Sequence, residues 1–145
     1  MLEFDNRPRG LVRLVYASRS TGVVSGELAQ KIVSKSIQNN RVSDISGLLL
    51  IGGDRFLQLL EGPADEVQAT FERVRGDPRH DDVKVISHGP ADKRLFRDWN
   101  MAHRQLGPMD APALSAVGLE AFTPEGLDED RALNLIKSLG QAHLK

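Results

Sequence analysis

The 145-residue chain contains no cysteine. Disulfide bonds, thiolate metal sites and any mechanism that depends on a thiol are therefore excluded. A chain without cysteine fits a reducing compartment. We accordingly expect a cytoplasmic protein, and no metal site is expected either.

Long apolar runs and an excess of charge of one sign are also missing. No segment is long and apolar enough to span a bilayer, and the N-terminus, MLEFDNRPRG, does not resemble a signal peptide. A formal net charge of −1 provides no attraction to nucleic acid or to an anionic membrane. We expect neither nucleic acid nor a membrane as a direct partner.

Aromatic residues are scarce, at 5% of the chain, and Tyr16 and Trp99 are the single residues of their kinds. The length is that of one domain with a substantial core. Most of the sequence reads as an ordinary globular domain, so the few unusual polar residues carry the information on function.

One such residue is Gln58, in the apolar segment Asp54–Gly62 (DRFLQLLEG). Side chains alternate along a strand, so Phe56, Gln58 and Leu60 share one side of a sheet. A buried amide without a partner costs about 1–3 kcal/mol. Gln58 therefore caps a loop carbonyl, lies near the edge of the strand, or faces a polar ligand inside the protein.

Alternation and apolar runs predict five strands, which are Leu11–Ala17, Ile45–Ile51, Asp54–Gly62, Asp82–His88 and Leu95–Met101. Turns are predicted at Ser18–Gly22 and, as a hairpin, at Gly52–Asp54. Two helices are predicted between them, one from Ser25 to about Asn39 and one from Gly62-Pro63 to Gly76-Asp77-Pro78. The order β-α-β-β-α-β-β predicts an α+β, ferredoxin-like sheet with two helices on one face.

The second strand is apolar on both parities, which predicts that both of its faces are covered. From Pro108 the character changes, and helices are predicted at Ala111–Leu119 and after Thr123. We expect a domain over residues 10–104 and a helical extension over 105–145. The extension packs on the open face of the sheet or serves as an oligomer or partner surface.

Several polar side chains are expected to converge between the helices and the sheet. Tyr16 and Gln58 project from adjacent central strands towards the helix layer. Other polar residues stand at the ends of the two predicted helices, namely Asn39, Asn40, Arg73, Asp77 and His80. Amides present both a donor and an acceptor, which suits a flat heterocycle.

These segments resemble the BLUF family, the blue-light sensors that use flavin. The resemblance covers about residues 11–103 and depends on six motifs in order: LVYASRS, S-x-x-NN at Ser36–Asn40, ISGLLL, F-x-Q-x-L-E-G at Phe56–Gly62, D-P-R-H at Asp77–His80, and F-x-x-W-x-M at Phe96–Met101.

The resemblance implies a non-covalently bound FAD, with FMN as the alternative. In that reading Gln58 bridges the flavin and the Tyr16 hydroxyl, and Asn40 binds a carbonyl edge of the ring. The remaining cofactor contacts that it implies are Ile32, Ser36, Asn39, Leu49, Phe56, Arg73, Asp77 and His80. Trp99 and Met101 match the strand that relays the signal.

The function implied is that of a photoreceptor rather than an enzyme. Light drives transfer of an electron and a proton from Tyr16 through Gln58, the amide rotates or tautomerises, and the flavin absorption shifts slightly to the red. The altered network then signals to a downstream protein, and a homo-oligomer is expected.

Three other functions remain possible on the same fold. An acyl-phosphate hydrolase would use Arg19 and Asn40, although the loop after the first strand lacks the glycines of a phosphate cradle. A cofactor-free interaction domain would leave Gln58 and the asparagine pair without a role. A flavin carrier would bind the cofactor without responding to light.

Overall fold

The computed structural model describes residues 10–21, 44–78, 80–96 and 102–140. The strands in these ranges are β1 (Leu11–Ser20), β2 (Ser46–Gly52), β3 (Arg55–Pro63), β4 (His80–Pro90) and β5 (Ala102–Gln105). The helices are α1 (Ala64–Arg75), α2 (Ala111–Ala116) and α3 (Glu129–Gly140), with 3₁₀ turns at Pro108–Asp110 and Pro124–Gly126. The helix predicted from Ser25 to Asn39 lies outside the described residues.

The five strands form one sheet in the order β4-β1-β3-β2-β5. β1 lies antiparallel to β3 and β4, β2 lies antiparallel to β3, and β5 is parallel to β2. β1 and β3 are therefore the central, adjacent strands. The predicted ferredoxin-like α+β fold is confirmed.

The hairpin between β2 and β3 turns at Gly53 and Asp54. Gly53 has φ 58°, in the left-handed region that glycine adopts without a steric penalty. The predicted turn over Gly52–Asp54 is thus confirmed, and it sets the register that places Leu49 opposite Gln58.

The fifth strand was predicted at Leu95–Met101, and this placement is wrong for its described part. Leu95 and Phe96 are not in a strand, and β5 begins at Ala102. The physical reason is a competing acceptor. The carboxylate of Glu61 accepts hydrogen bonds from the backbone N–H groups of Leu95 and Phe96, at 2.8 and 3.1 Å. These N–H groups therefore bind a side chain rather than a neighbouring strand.

The two faces of the sheet bury different clusters. The face that carries Tyr16, here called the Tyr16 face, packs against α1 and buries Val12, Leu14, Leu49, Phe56, Leu60, Val67 and Phe71. The opposite face, here called the extension face, buries Val15, Leu48, Leu50, Leu57 and Leu59 against Leu135, Ile136 and Leu139 of α3. All seven residues of β2 are buried. The predicted packing of the C-terminal extension on the second face is confirmed.

None of the helices in the described ranges is long and apolar enough to cross a membrane.

The packing of α3 on the sheet should contribute strongly to stability. Ile136 is fully buried, so Ile136→Ala should lower the free energy of unfolding by about 2–5 kcal/mol, because it leaves a cavity between α3 and the sheet. Urea unfolding measures this change. Asn134→Ala, on the exposed side of the same helix, is the matched control and should change stability by less than about 0.5 kcal/mol. Equal effects of the two variants would contradict this packing.

Candidate functional site

The candidate site is built on one row of residues across the sheet. Tyr16 on β1 lies directly opposite Gln58 on β3, and Gln58 lies opposite Leu49 on β2. Directly opposed residues on neighbouring strands share a face, so the phenol and the amide lie side by side on the Tyr16 face. The expectation that these two side chains project from adjacent central strands is confirmed.

Both polar side chains of this row are buried. Tyr16 is 2% exposed and Gln58 is 5% exposed. The Tyr16 hydroxyl donates a hydrogen bond to Oε1 of Gln58. Since the carbonyl end of the amide faces Tyr16, the N–H end of the same planar group is directed the other way. One side chain thus presents an acceptor to the phenol and donors to whatever lies beyond it.

Burial raises the pKa of the Tyr16 phenol well above its usual range, and the negative charge of Asp77 raises this pKa further. The low-polarity surroundings disfavour the phenolate, and a nearby carboxylate adds repulsion. Tyr16 therefore keeps its proton, and the hydroxyl remains the donor in its hydrogen bond to Gln58.

His80, at the start of β4, is held by two hydrogen bonds. Its Nε2 lies 2.6 Å from the carbonyl oxygen of Val74, and its Nδ1 lies 2.8 Å from Oγ of Ser18. A carbonyl only accepts, so Nε2 carries the hydrogen, and in the neutral ring Nδ1 accepts from the Ser18 hydroxyl. The imidazole is thereby fixed beside the phenol, with ring centroids 6.4 Å apart.

Apolar rings complete the surroundings of the phenol. The Phe71 ring on α1 lies 5.4 Å from that of Tyr16 in a tilted arrangement, and the Phe56 ring lies 6.3 Å from that of His80. With Leu49, these side chains form a low-polarity wall around one phenol, one amide and one imidazole.

Not every predicted site residue lies next to the Tyr16–Gln58 pair in the described part of the chain. Arg73 on α1 is exposed, and its guanidinium lies 3.5 Å from Oγ1 of Thr70. Asp77 is partly buried and acts on Tyr16 through its charge. Six further predicted residues lie outside the described ranges, namely Ile32, Ser36, Asn39, Asn40, Trp99 and Met101.

Arg19, the arginine of the hydrolase alternative, is engaged elsewhere. It forms ion pairs with Asp54 at 3.6 Å and with Asp82 at 3.9 Å. Two carboxylates around the guanidinium make a poor site for a phosphate. Its proposed partner, Asn40, lies outside the described residues.

Ser18 was missed by the sequence reasoning, which ended the first strand at Ala17. The strand continues to Ser20, so Ser18 falls on the Tyr16 face, two positions after Tyr16. The alternation of strand side chains was the available signal. The serine was read instead as the start of a turn.

The arrangement suits a flat, polar ring rather than a metal. Within the described ranges no cluster of three or more His, Cys, Asp or Glu side chains is placed to hold a metal ion. A buried amide with a donor and an acceptor end, set among apolar side chains, matches a heterocycle whose edge carries both kinds of group. The residues present therefore fit a flavin.

Comparison with known proteins identifies the family. The sequence model described as "BLUF: Sensors of blue-light using FAD" matches residues 11–102. These residues include the whole β1–β4 sheet and the row that carries Tyr16 and Gln58.

Curated relatives are light-regulated proteins. The chain is 27% identical over 116 residues to the photoactivated adenylate cyclase subunit beta of Euglena longa, covering 78% of this chain and 14% of the relative. It is 34% identical over 86 residues to the blue light- and temperature-regulated antirepressor BluF of Escherichia coli, covering 59% of this chain and 21% of the relative. The chain thus spans only a small part of these proteins.

Solved structures agree over most of the chain. BlsA in its photo-activated state superposes with a TM-score of 0.80 at 26% identity, covering 89% of this chain and 94% of BlsA. BlrB, a BLUF protein in its dark state, gives 0.68 at 27% identity, covering 88% and 97%. Both alignments extend beyond the part of the chain that the family model matches.

The chain belongs to the BLUF family of flavin-binding blue-light sensors. Its fold and its Tyr16–Gln58 pair are consistent with this assignment. The family description names FAD as the flavin that these sensors use, and the relatives named above are a light-regulated antirepressor and a photoactivated cyclase subunit.

The raised pKa of Tyr16 predicts a loss of stability at high pH. The unfolded phenol ionises near pH 10 and the folded phenol does not, so the stabilisation is complete below about pH 10 and falls by about 1.4 kcal/mol per pH unit above it. Urea unfolding at several alkaline pH values measures the slope. Tyr16→Phe should remove this part of it, and since the chain has one tyrosine, an unchanged slope would contradict the assignment.

Proposed function

We propose that this chain detects blue light through a flavin bound on the Tyr16 face, and that Tyr16 and Gln58 are its photoactive residues. The observation that carries the proposal is the buried hydrogen bond from the Tyr16 hydroxyl to Oε1 of Gln58. A phenol that is protonated, buried and joined to a reorientable amide is suited to give up an electron and a proton together.

FAD is the proposed cofactor, with FMN as the alternative. The family description names FAD. Leu49, Phe56 and His80 surround the phenol and amide on the same face and support a ring site there. Asp77 and Arg73, and by resemblance Ile32, Ser36, Asn39 and Asn40, are proposed as further contacts of the flavin.

When bound and excited, the flavin supplies a strong one-electron oxidant. Tyr16 is the proposed donor, since a phenol that has lost an electron becomes a strong acid. The acceptor already in place for its proton is Oε1 of Gln58. The surrounding phenylalanine, leucine and valine side chains exclude water, which directs the proton along this one hydrogen bond.

Gln58 then serves as the switch. An amide that rotates or tautomerises exchanges the positions of its donor and acceptor, so each neighbour is offered the opposite group. Two arrangements of one buried side chain constitute a bistable element of the kind that can shift a larger equilibrium.

The signal is proposed to pass through Trp99 and Met101 to a downstream signalling protein. We further propose a flavin-binding domain at residues 10–104 and a helical extension at 105–145, the described part of which packs on the face opposite the site. We also propose a homo-oligomer in the cytoplasm.

Tyr16→Phe should retain the flavin and abolish the reversible red shift, because the phenolic proton is lost while the apolar ring remains. Absorption spectra in the dark, after blue light and after dark recovery measure this. Phe71→Leu is the matched control, since it alters the neighbouring ring without touching the phenol, and it should keep the shift. A shift of normal size in Tyr16→Phe would refute Tyr16 as the donor.

Gln58→Leu should bind flavin, alter the dark spectrum and show no red shift, because leucine can neither accept the phenolic proton nor reverse a hydrogen bond. The same three spectra measure it. A purified wild-type protein that stays colourless after incubation with FAD and with FMN would instead favour a cofactor-free interaction domain. A coloured protein without a light-induced shift would favour a flavin carrier.

A further inference from the structure

A buried carboxylate that the photochemistry does not use lies close to the site. Glu61 on β3 is three residues beyond Gln58 and is 0% exposed. By strand alternation its side chain is on the extension face, opposite the amide of Gln58. An ionised group in such a position must be satisfied by donors.

Those donors come from two separate parts of the chain. Nε of Arg13 on β1 donates to Oε2 at 2.9 Å. The consecutive backbone N–H groups of Leu95 and Phe96 donate to the carboxylate at 2.8 and 3.1 Å. The carboxylate therefore fixes the backbone at Leu95 and Phe96, where the chain turns from β4 towards β5.

Arg94, the residue before Leu95, also binds the sheet. Its guanidinium donates to Oγ of Ser46 at 2.9 Å and to the carbonyl oxygen of Asp44 at 2.8 Å. Three consecutive residues, 94–96, are thus tied to the edge of the β2–β3 pair through Glu61, Ser46 and Asp44.

The two ends of the connection into β5 also meet the last turn of α3. Before the connection, the Phe96 ring lies against Gly140, where a Cβ atom would come within 2.8 Å of it. After it, Arg104 on β5 forms an ion pair with Asp110 at 2.5 Å and donates to the carbonyl oxygen of Leu139 at 3.4 Å. A movement of β5 relative to Phe96 would therefore be felt at one turn of α3.

We infer that Glu61 is a positioning residue for the light response: its carboxylate keeps Leu95 and Phe96 fixed in both states, so that a light-induced shift of β5 relative to them is delivered to the last turn of α3. The inference rests on the proposed function. It goes beyond it in assigning a role to a carboxylate on the opposite face of β3 from Gln58.

Hydrogen exchange on the wild-type protein, in the dark and under blue light, tests the fixed point directly. The amides of Leu95 and Phe96 should exchange at the same rate in both conditions, while those of β5 and of the last turn of α3 change at least threefold. Equal light-induced changes at Leu95, at Phe96 and in β5, or no change in β5 and α3, would overturn the inference.

Glu61→Gln tests the carboxylate itself. The glutamine side chain has nearly the same shape, but one carboxylate oxygen is replaced by an N–H₂ group, which cannot accept the hydrogen bonds that Arg13, Leu95 and Phe96 donate. The hydrogen bonds that fix Leu95 and Phe96 should therefore weaken. We expect an unchanged red shift, dark recovery at least threefold faster because the released end lowers the barrier to return, and loss of the light-induced exchange change in α3. Asp92→Asn, the same acid-to-amide change at an exposed residue between β4 and Leu95, is the control and should behave as the wild type in all three.

These experiments distinguish failure of the role of Glu61 from failure of the proposed photoreceptor function. A red shift with wild-type recovery and a wild-type exchange pattern in Glu61→Gln, even with a lowered melting temperature, would show a purely structural residue and overturn this inference alone. No red shift in the wild type would overturn the proposed function and this inference with it. If Glu61→Gln does not fold, the wild-type exchange experiment decides.

Discussion

The molecule depends on a single buried hydrogen bond between a phenol and an amide. Tyr16 and Gln58 meet because the two central strands place them directly opposite each other. Burial keeps the phenol protonated by raising its pKa, and the Asp77 charge acts in the same direction. The surrounding fold shields this pair from water and fixes its orientation. The helix α1 covers it on one side, and His80 is held beside it by hydrogen bonds to Ser18 and Val74.

The sheet separates two kinds of chemistry. On the Tyr16 face, neutral hydrogen-bonding groups lie among apolar side chains, which suits a group that must rearrange. On the extension face, the buried polar contacts are charge-assisted, as at Glu61, and such contacts are stronger and more rigid. The reorienting element and the rigid anchors are thus assigned to opposite sides of the same strand, β3.

Much of this architecture could be predicted from the sequence. Alternation and glycine placement predicted the central strands and the β2–β3 hairpin, and the doubly apolar second strand predicted that the extension covers the far face. Gln58 stood out because an amide in an apolar strand needs a partner. The start of the fifth strand could not be predicted, because the backbone N–H of Leu95 is bound by the Glu61 carboxylate, which lies 34 residues earlier in the chain. A strand pattern read along the local sequence does not contain this contact. The exposure of Arg73 could not be predicted either, because helical spacing does not show that its guanidinium lies next to Oγ1 of Thr70.

One further consequence follows from the edge strand β4. Opposite Ala17 and Arg19, β4 carries an extra residue and its ladder is offset, and Asp82 there takes the left-handed backbone conformation with φ 52°. Bulges and charged side chains on an edge strand hinder continuation of the sheet by a strand of another molecule. With Asp81, Asp82 and Lys84 at this point, two copies gain little by joining edge to edge through β4. A sensor whose sheet must respond to light is thereby protected from locking into a continuous intermolecular sheet, and β4 is a poor surface for self-association.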